Sequence, residues 1–227
     1  MSARVPGNAL AIAALFTAAL SAGCRSTPPP IEQYLLALPT FAPLMRDEPP
    51  MPVLRMLPLV ARGFLDHAEI AWREGDVRAG AYRYRRFGEL PAETATRALR
   101  DALRAIGGFE AVDGPDGRAR GSFTLRGELL GLHEQCDEGG GHPTGVAEGE
   151  LGLESAADDP TRPLRRTTLH ARREVAASDE SMEASVRAIS AAYADVIGDL
   201  VAQVATAAHA DCAAADAAAK PAGIPQS

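Results

Sequence analysis

One short segment of the chain concentrates side chains that could do chemistry. Residues 133–138 have the sequence HEQCDE, and another histidine, His142, follows three glycines. Imidazole and thiolate are ligands that zinc prefers, so His133, Cys136 and His142 are candidates for the metal centre of a metal-dependent hydrolase. Their spacing matches no established zinc motif, and the glycines are typical of a flexible hairpin tip. We therefore expect a turn between strands and no metal site, and keep the metal-dependent hydrolase as the alternative.

A second segment alternates aromatic and basic side chains: Tyr82, Arg83, Tyr84 and Arg85. Such a cluster can bind a partner protein or the anionic headgroup of a lipid, because guanidinium groups attract phosphate. The same alternation is also typical of a strand with one arginine face in solvent. The sequence has no serine-triad, Walker, dinucleotide-binding or zinc-protease signature. We therefore expect no catalytic residues, no cofactor and no enzymatic activity.

Both segments need a scaffold, and its first part lies in residues 57–112. An apolar strand and the tyrosine–arginine strand come first. Pro91 then begins the clearest helix of this half, because apolar residues recur from Ala95 to Ile106 at helical spacing. Gly107 is suited to end that helix, and residues 109–112 are predicted to form the next strand. Strand, turn, strand, helix, strand is typical of a mixed α/β layer.

The second half of the chain predicts three strands and one long helix. Apolar and polar residues alternate over residues 120–133, 145–154 and 164–175, which indicates strands with one buried face. Their outer faces are acidic and basic in turn, which favours antiparallel pairing. A helix over residues 179–208, capped by Ser178, carries one apolar stripe. The stripe consists of Met182, Val186, Ile189, Tyr193, Ile197, Leu200, Val201 and Val204. Together these elements predict a single α/β (α+β) domain, a mixed and largely antiparallel sheet packed by two main helices.

The segment 57–112 also carries a family resemblance. Four short motifs occur there in order: Leu65-Asp66-His67, Glu69-Ile70-Ala71, Phe87-Gly88-Glu89-Leu90-Pro91 and Gly108-Phe109. With them the chain resembles the ABC-type transport auxiliary lipoproteins, the family that includes the lipoprotein of the paraquat-inducible intermembrane transport system. Two residues depart from the family pattern, since His67 stands where arginine is frequent and Phe87 where tryptophan is frequent.

The resemblance implies a non-enzymatic auxiliary component of an ABC-type or mammalian-cell-entry-type transport system. Such systems move lipids or other hydrophobic molecules between the inner and outer membranes. The implied partner is the mammalian-cell-entry or substrate-binding protein of the same system, with the ABC permease and ATPase as separate, indirect partners. The net charge of −7 argues against nucleic-acid binding. The alternatives are the metal-dependent hydrolase and a structural envelope lipoprotein, and self-association into a homo-oligomer is left open.

The N-terminal sequence predicts a signal peptide and a lipid anchor. Residues 1–23 contain an apolar run too short for a comfortable membrane span, which indicates a signal peptide. The run ends in Ala22-Gly23-Cys24, which resembles a bacterial lipobox, so we expect Cys24 to be acylated, with palmitate among its chains. Arg25 is not the aspartate that retains many lipoproteins in the inner membrane. The protein is therefore expected on the periplasmic face of the outer membrane.

The domain boundaries follow from this anchor. Residues 24–32 are predicted to be a lipidated tether with three consecutive prolines, and residues 33–212 the folded domain, opening with a strand over residues 33–38. Residues 213–227 are rich in small side chains and are predicted to be disordered.

The remaining cysteines suggest a cross-link. Once Cys24 is acylated, Cys136 and Cys212 are the only other cysteines of the chain. An oxidising compartment favours their pairing. We therefore predict a disulfide that pins the end of the last helix to the sheet, in competition with the zinc site, because a disulfide sulfur cannot act as a thiolate ligand.

Overall fold

The computed structural model describes residues 28–38, 40–42, 49–116, 123–136, 139, 141–155 and 165–219. The chain divides into the units Met1–Pro30 and Ile31–Ser227, and the sheet and helices belong to the second unit. The predicted signal peptide and Cys24 lie outside the described residues, as do Asp137, Glu138 and residues 220–227.

Within the described residues, nine strands form one mixed sheet. The strands are β1 (Glu32–Tyr34), β2 (Leu54–Met56), β3 (Val60–Ala61), β4 (Glu69–Glu74), β5 (Arg78–Phe87), β6 (Val112–Asp113), β7 (Phe123–Cys136), β8 (Thr144–Ser155) and β9 (Arg165–Ala176). A short 3-10 helix, Gly63–Asp66, precedes β4. The α-helices are α1 (Pro91–Ala105) and α2 (Met182–Ala219).

Strand β7 organises the sheet. One of its edges pairs antiparallel with β8, and β8 pairs antiparallel with β9. Its other edge pairs in parallel with β2, then β3, then β4. Beyond β4 the sheet continues to β5 and β1, and beyond β2 to β6. The longest ladders are antiparallel, so the predicted mixed, largely antiparallel α+β fold is confirmed.

Both helices share one apolar core with the inward residues of the sheet. Helix α1 begins at Pro91, as predicted, and Gly107 takes the left-handed conformation (φ 64°) just beyond its end. All eight residues of the predicted stripe on α2 are buried. By length and composition α2 could cross a membrane, but a core helix meets the same criteria, and this one packs against β8 and β9. We therefore assign α2 to the core.

Several predicted boundaries were wrong. The first strand is only Glu32–Tyr34, because residues 35–38 lie beyond its ladder with β5. Helix α2 begins at Met182, where Ser181 Oγ accepts a hydrogen bond from the Ala184 N–H at 3.2 Å, so Ser181 and not Ser178 is the cap. The same helix continues to Ala219, into the segment predicted to be disordered.

The strand predicted at residues 109–112 is also displaced. Val112 and Asp113 form β6, whereas Phe109 makes only an isolated bridge with Met51. The Phe109 ring instead packs edge-on against Phe123, with ring centroids 6.3 Å apart. Its side chain thus belongs to the core, even though its backbone is not part of a strand.

Candidate functional site

The segment with the candidate metal ligands forms the last residues of β7, and a bulge decides which way they face. Register along β8 shifts between Leu129 and Gly131, which leaves Leu130 as the extra residue. Before the bulge, the odd-numbered residues of β7 face the helices. After the bulge, the even-numbered residues of β7 face the helices. Glu134 therefore points toward the helices, and His133 points to the opposite side of the sheet.

The zinc centre considered as an alternative loses its geometry for the same reason. His133 and Cys136 are three positions apart in one strand, so their side chains leave opposite faces of the sheet. His142 is exposed in the segment before β8. Within the described part of the chain, no three His, Cys, Asp or Glu side chains lie close enough together to hold a metal ion. The hydrolase alternative therefore loses the site on which it depended.

His133 is a buried base on the outer face. It is 6% exposed, and it pairs in register with Val146, which is fully buried. Burial, followed by the charges of Arg73 and Arg172, lowers the pKa of its imidazole to about 4, against the opposing effects of Glu148 and Gln135. The neutral imidazole is therefore the form that the fold favours.

Glu134 is the polar centre of the inner face. Its side chain is 5% exposed, and each carboxyl oxygen accepts one hydroxyl hydrogen bond. Ser185 donates to Oε1 at 2.7 Å and Tyr82 donates to Oε2 at 2.5 Å. Burial raises the pKa of the Tyr82 phenol, and Glu134 adds to that effect. We call Tyr82, Glu134 and Ser185 the Glu134 cluster; it joins β5, β7 and α2.

The tyrosine–arginine segment lies on β5, as predicted, but its members do different things. The Tyr82 hydroxyl points into the Glu134 cluster. The Arg85 guanidinium lies 5.3 Å from the Tyr82 ring and 3.4 Å from Glu32 on β1. Arg83 is exposed and lies 5.4 Å from the Tyr84 ring. Only part of the segment is therefore available as a headgroup or partner surface.

Sequence reasoning missed two members of the Glu134 cluster. The sequence marks Glu134 only as a neighbour of the candidate zinc ligands, and Ser185 only as a residue of the last helix. A carboxylate in the middle of a strand normally indicates the solvent face, and the bulge reverses that rule here. A serine within the apolar stripe was the available signal, because a buried hydroxyl needs a partner.

The predicted disulfide is also wrong: the described residues contain no bond between Cys136 and Cys212. Cys136 ends β7. Cys212 follows Asp211, whose carboxylate lies 3.7 Å from Arg165 at the start of β9. That end of the sheet is the end where β7 begins at Phe123, because β8 joins the two by register. The cysteines are thus separated by nearly the length of β7, about 40 Å at strand rise, and no disulfide spans that distance.

The outer face of β7–β9 carries the predicted acidic and basic pairs. Glu148 on β8 lies 2.9 Å from His170 and 3.3 Å from Arg172 on β9. Glu154 lies 2.8 Å from Arg126 on β7. The basic side chains are exposed, whereas Glu148 and Glu154 are partly buried, so the pairs fix register and contribute modestly to stability. These ion pairs do not indicate a catalytic site.

An apolar rim lies at the far end of β5. Leu35 is 79% exposed, Leu38 41% and Leu90 40%. Leu35 and Leu38 border a pocket of about 210 Å³, whose other wall includes Gly88 and Glu89. Leu90 follows Glu89 directly. We call Leu35, Leu38 and Leu90 the leucine rim.

Comparison with known proteins supports the fold. No family model and no curated protein matches the sequence. The solved structure of XCC0632 from Xanthomonas campestris, described as a member of DUF330, is similar with a TM-score of 0.61 and 16% identity, over 80% of this chain and 99% of that one. The structure of an uncharacterised protein has a TM-score of 0.56 and 15% identity, over 78% and 99% of the two chains. The chain thus has the α+β fold of these proteins, and at such identities the likeness concerns the fold alone.

One further solved structure is only weakly similar to this chain. A candidate lipoprotein from Caulobacter crescentus has a TM-score of 0.37 and 9% identity, over 56% of this chain and 87% of that one. We draw nothing from it about anchoring or location.

Proposed function

We propose that this chain is a lipid-anchored periplasmic lipoprotein that serves as a non-enzymatic auxiliary component of an ABC-type or mammalian-cell-entry-type transport system. In this role it sits at the outer membrane and contacts the substrate-binding or mammalian-cell-entry protein of the system. Lipids or other hydrophobic molecules pass between the membranes, while the permease and ATPase are separate chains.

The observation that carries the proposal is the position of the family-like motifs in the fold. Leu65 and Asp66 lie in the 3-10 turn, and Glu69 opens β4 directly after it. Pro91 is the first residue of α1, and Phe109 follows the glycines that end the helix. Each motif thus lies at an element boundary, where turns and helix ends favour particular residue types.

The N-terminal sequence supplies the second line of support. A lipobox-like Cys24 preceded by an apolar run fits a periplasmic anchor, and three prolines after it fit a spacer. The hydrolase alternative has no comparable support, because His133 and Cys136 lie on opposite faces of β7 and His142 lies in the segment before β8. A structural envelope lipoprotein would share the anchor but not the transport partner.

The anchor is tested by mass spectrometry of the mature protein from its native envelope. We expect an acylated N-terminal Cys24, and we expect Cys24→Ala to release the protein from the membrane fraction. Cys136→Ala is the matched control, because it also removes a thiol but leaves the anchor, so that variant stays with the membrane. A mature chain that begins elsewhere without acylation overturns the anchored role.

The partner is tested by cross-linking in intact cells. We expect a mammalian-cell-entry or substrate-binding protein to be recovered with the wild-type chain. Recovery of envelope structural proteins alone, from an acylated chain, would favour the structural lipoprotein instead.

A further inference from the structure

We infer that the leucine rim touches the surface of the lipid bilayer to which the chain is anchored. The inference rests on the proposed anchor at Cys24 and adds to it a contact surface on the folded domain. Lone exposed leucines are ordinary on protein surfaces. Here two of them, Leu35 and Leu38, line one pocket, and Leu90 directly follows its wall residue Glu89, so this local concentration needs a separate account.

The rim is held together by local contacts. The Gly88 N–H donates to the Tyr34 carbonyl at 2.8 Å, which fixes the chain after β1 beside the end of β5. The Leu35 side chain then lies over Gly88, so that a Cβ added there would come within 2.9 Å of it. A residue larger than glycine would push Leu35 away. Leu35 is thus held outward by the backbone around it.

Chain length indicates a lipid surface as the occupant. Six residues, 25–30, separate Cys24 from Ile31, where the folded unit begins. Even fully extended, this connection reaches at most about 25 Å, so the start of the folded unit stays within that distance of the anchored cysteine. Ile31 is itself 51% exposed and leads directly into β1 and the rim. Leu35 and Leu38 follow Ile31 within seven residues, so this part of the leucine rim lies close in the chain to the anchored cysteine.

Polar groups beside the rim suit an interface. Glu89 and Arg97, which also line the pocket, form an exposed ion pair with each other. A contact of this kind places leucines at the boundary between headgroups and acyl chains and leaves charges among the headgroups.

The chain offers a matched control at the other end of β5. Val77 is 89% exposed in the turn between β4 and β5. Strand β5 has ten residues, so the turn lies up to about 30 Å from the rim. An apolar residue there is equally available to water and is not predicted to meet the bilayer.

The test uses tryptophan reporters in the acylated full chain, reconstituted in phosphatidylethanolamine–phosphatidylglycerol vesicles. Leu35→Trp and Val77→Trp are compared with the wild type, whose single tryptophan, Trp72, gives the baseline. Brominated acyl chains quench a tryptophan that reaches the upper acyl region. The emission of each introduced tryptophan is the emission of the variant minus that of the wild type. We expect brominated lipids to reduce it by about half or more for Leu35→Trp and to leave it unchanged for Val77→Trp, as insertion of the rim to the acyl boundary requires. Leu38→Trp serves as a second rim reporter.

The outcomes separate the contact from the anchor. Mass spectrometry of the same sample establishes acylation independently. Equal quenching at positions 35 and 77, or none at either, in acylated protein overturns the membrane contact while the anchored role stands. In the second case the rim becomes a surface for a protein partner.

Discussion

The hydroxyl of Ser185, near the start of α2, donates to the buried carboxyl of Glu134 on β7 at 2.7 Å. The Tyr82 hydroxyl on β5 donates to the other oxygen of the same group. One carboxyl therefore ties the longest helix to two strands that lie far apart in the sequence. Because a buried polar group without a partner is costly, each of these hydroxyls should matter for stability.

We predict that Ser185→Ala lowers the free energy of unfolding by about 1–3 kcal/mol, because one carboxyl oxygen of Glu134 loses its donor where water cannot replace it. Urea unfolding of wild type and variant measures the difference. Tyr82→Phe, which removes only the other hydroxyl, should show a loss of similar size. A Ser185→Ala protein as stable as the wild type would mean that the bond contributes nothing.

A neighbouring serine tests the start of α2. Ser181→Ala removes the side-chain acceptor of the Ala184 N–H, and we expect a loss of about 1 kcal/mol in the free energy of unfolding. Ser178→Ala is the control, because Ser178 is exposed and only donates to Asp179 at 3.1 Å. We expect its effect to stay within about 0.5 kcal/mol. The reverse ranking would restore Ser178 as the cap.

The arginines of β5 are predicted to be dispensable for folding. Arg83→Ala with Arg85→Ala should lower the free energy of unfolding by no more than about 1 kcal/mol, since both side chains are substantially exposed and exposed ion pairs are weak. If the arginines serve the transport partner or lipid headgroups, envelope permeability should change while the protein level does not. If the double variant has wild-type envelope permeability, Arg83 and Arg85 are only solvated residues on the strand face.

Sequence patterns captured the parts of this fold that depend on periodicity. Helix α1, the long strands β7 to β9 and the stripe of α2 were all predicted, because burial of one face imposes a repeat of two or 3.6 residues. The residues of the acidic and basic outer faces were placed correctly for the same reason. Short strands such as β1 and β3 escaped precise prediction, since three or two residues cannot display a period.

The candidate site could not be read in the same way. A single extra residue, Leu130, exchanges the two faces of β7, and nothing in the local sequence indicates it. The zinc alternative and the disulfide prediction both assumed that side chains of matching chemistry lie close together in space. Strand direction and the length of β7 decide otherwise, and these are properties of the assembled sheet.

Close packing of α2 on the sheet gives a sharper stability prediction. A Cβ added at Gly145 would overlap the backbone of Ala188 and Ile189, so the helix would have to move. We expect Gly145→Ala to lower the free energy of unfolding by about 3 kcal/mol or to prevent folding. Gly149→Ala is the matched control on the same strand, because its nearest neighbour is a flexible Leu200 methyl group at 3.3 Å. Denaturant unfolding should rank the two clearly, and equal effects would contradict the close approach.

His133 predicts how stability depends on pH. Its pKa is about 4 in the folded chain, mainly through burial, whereas an unfolded histidine has a pKa of about 6.5. The groups that face it are Arg73 on β4, Arg172 on β9, Glu148 on β8 and Gln135 on β7 itself. As the pH falls below 6.5, the unfolded chain gains a proton that the folded chain does not accept. The stability contribution of neutral His133 is therefore complete above pH 6.5 and is lost as the pH falls toward 4.

We expect His133→Gln to remove this dependence. Between pH 7 and pH 5 the wild type should lose about 2 kcal/mol more in the free energy of unfolding than the variant, since each pH unit between the two pKa values contributes about 1.4 kcal/mol. Urea unfolding at both pH values measures this, and the difference cancels the titration of groups that the two proteins share. His142→Gln, which removes an exposed histidine near the same strands, is the control and should behave as the wild type. If His133→Gln loses as much stability as the wild type over this range, the imidazole is not held neutral by the fold, and its burial has no consequence for pH.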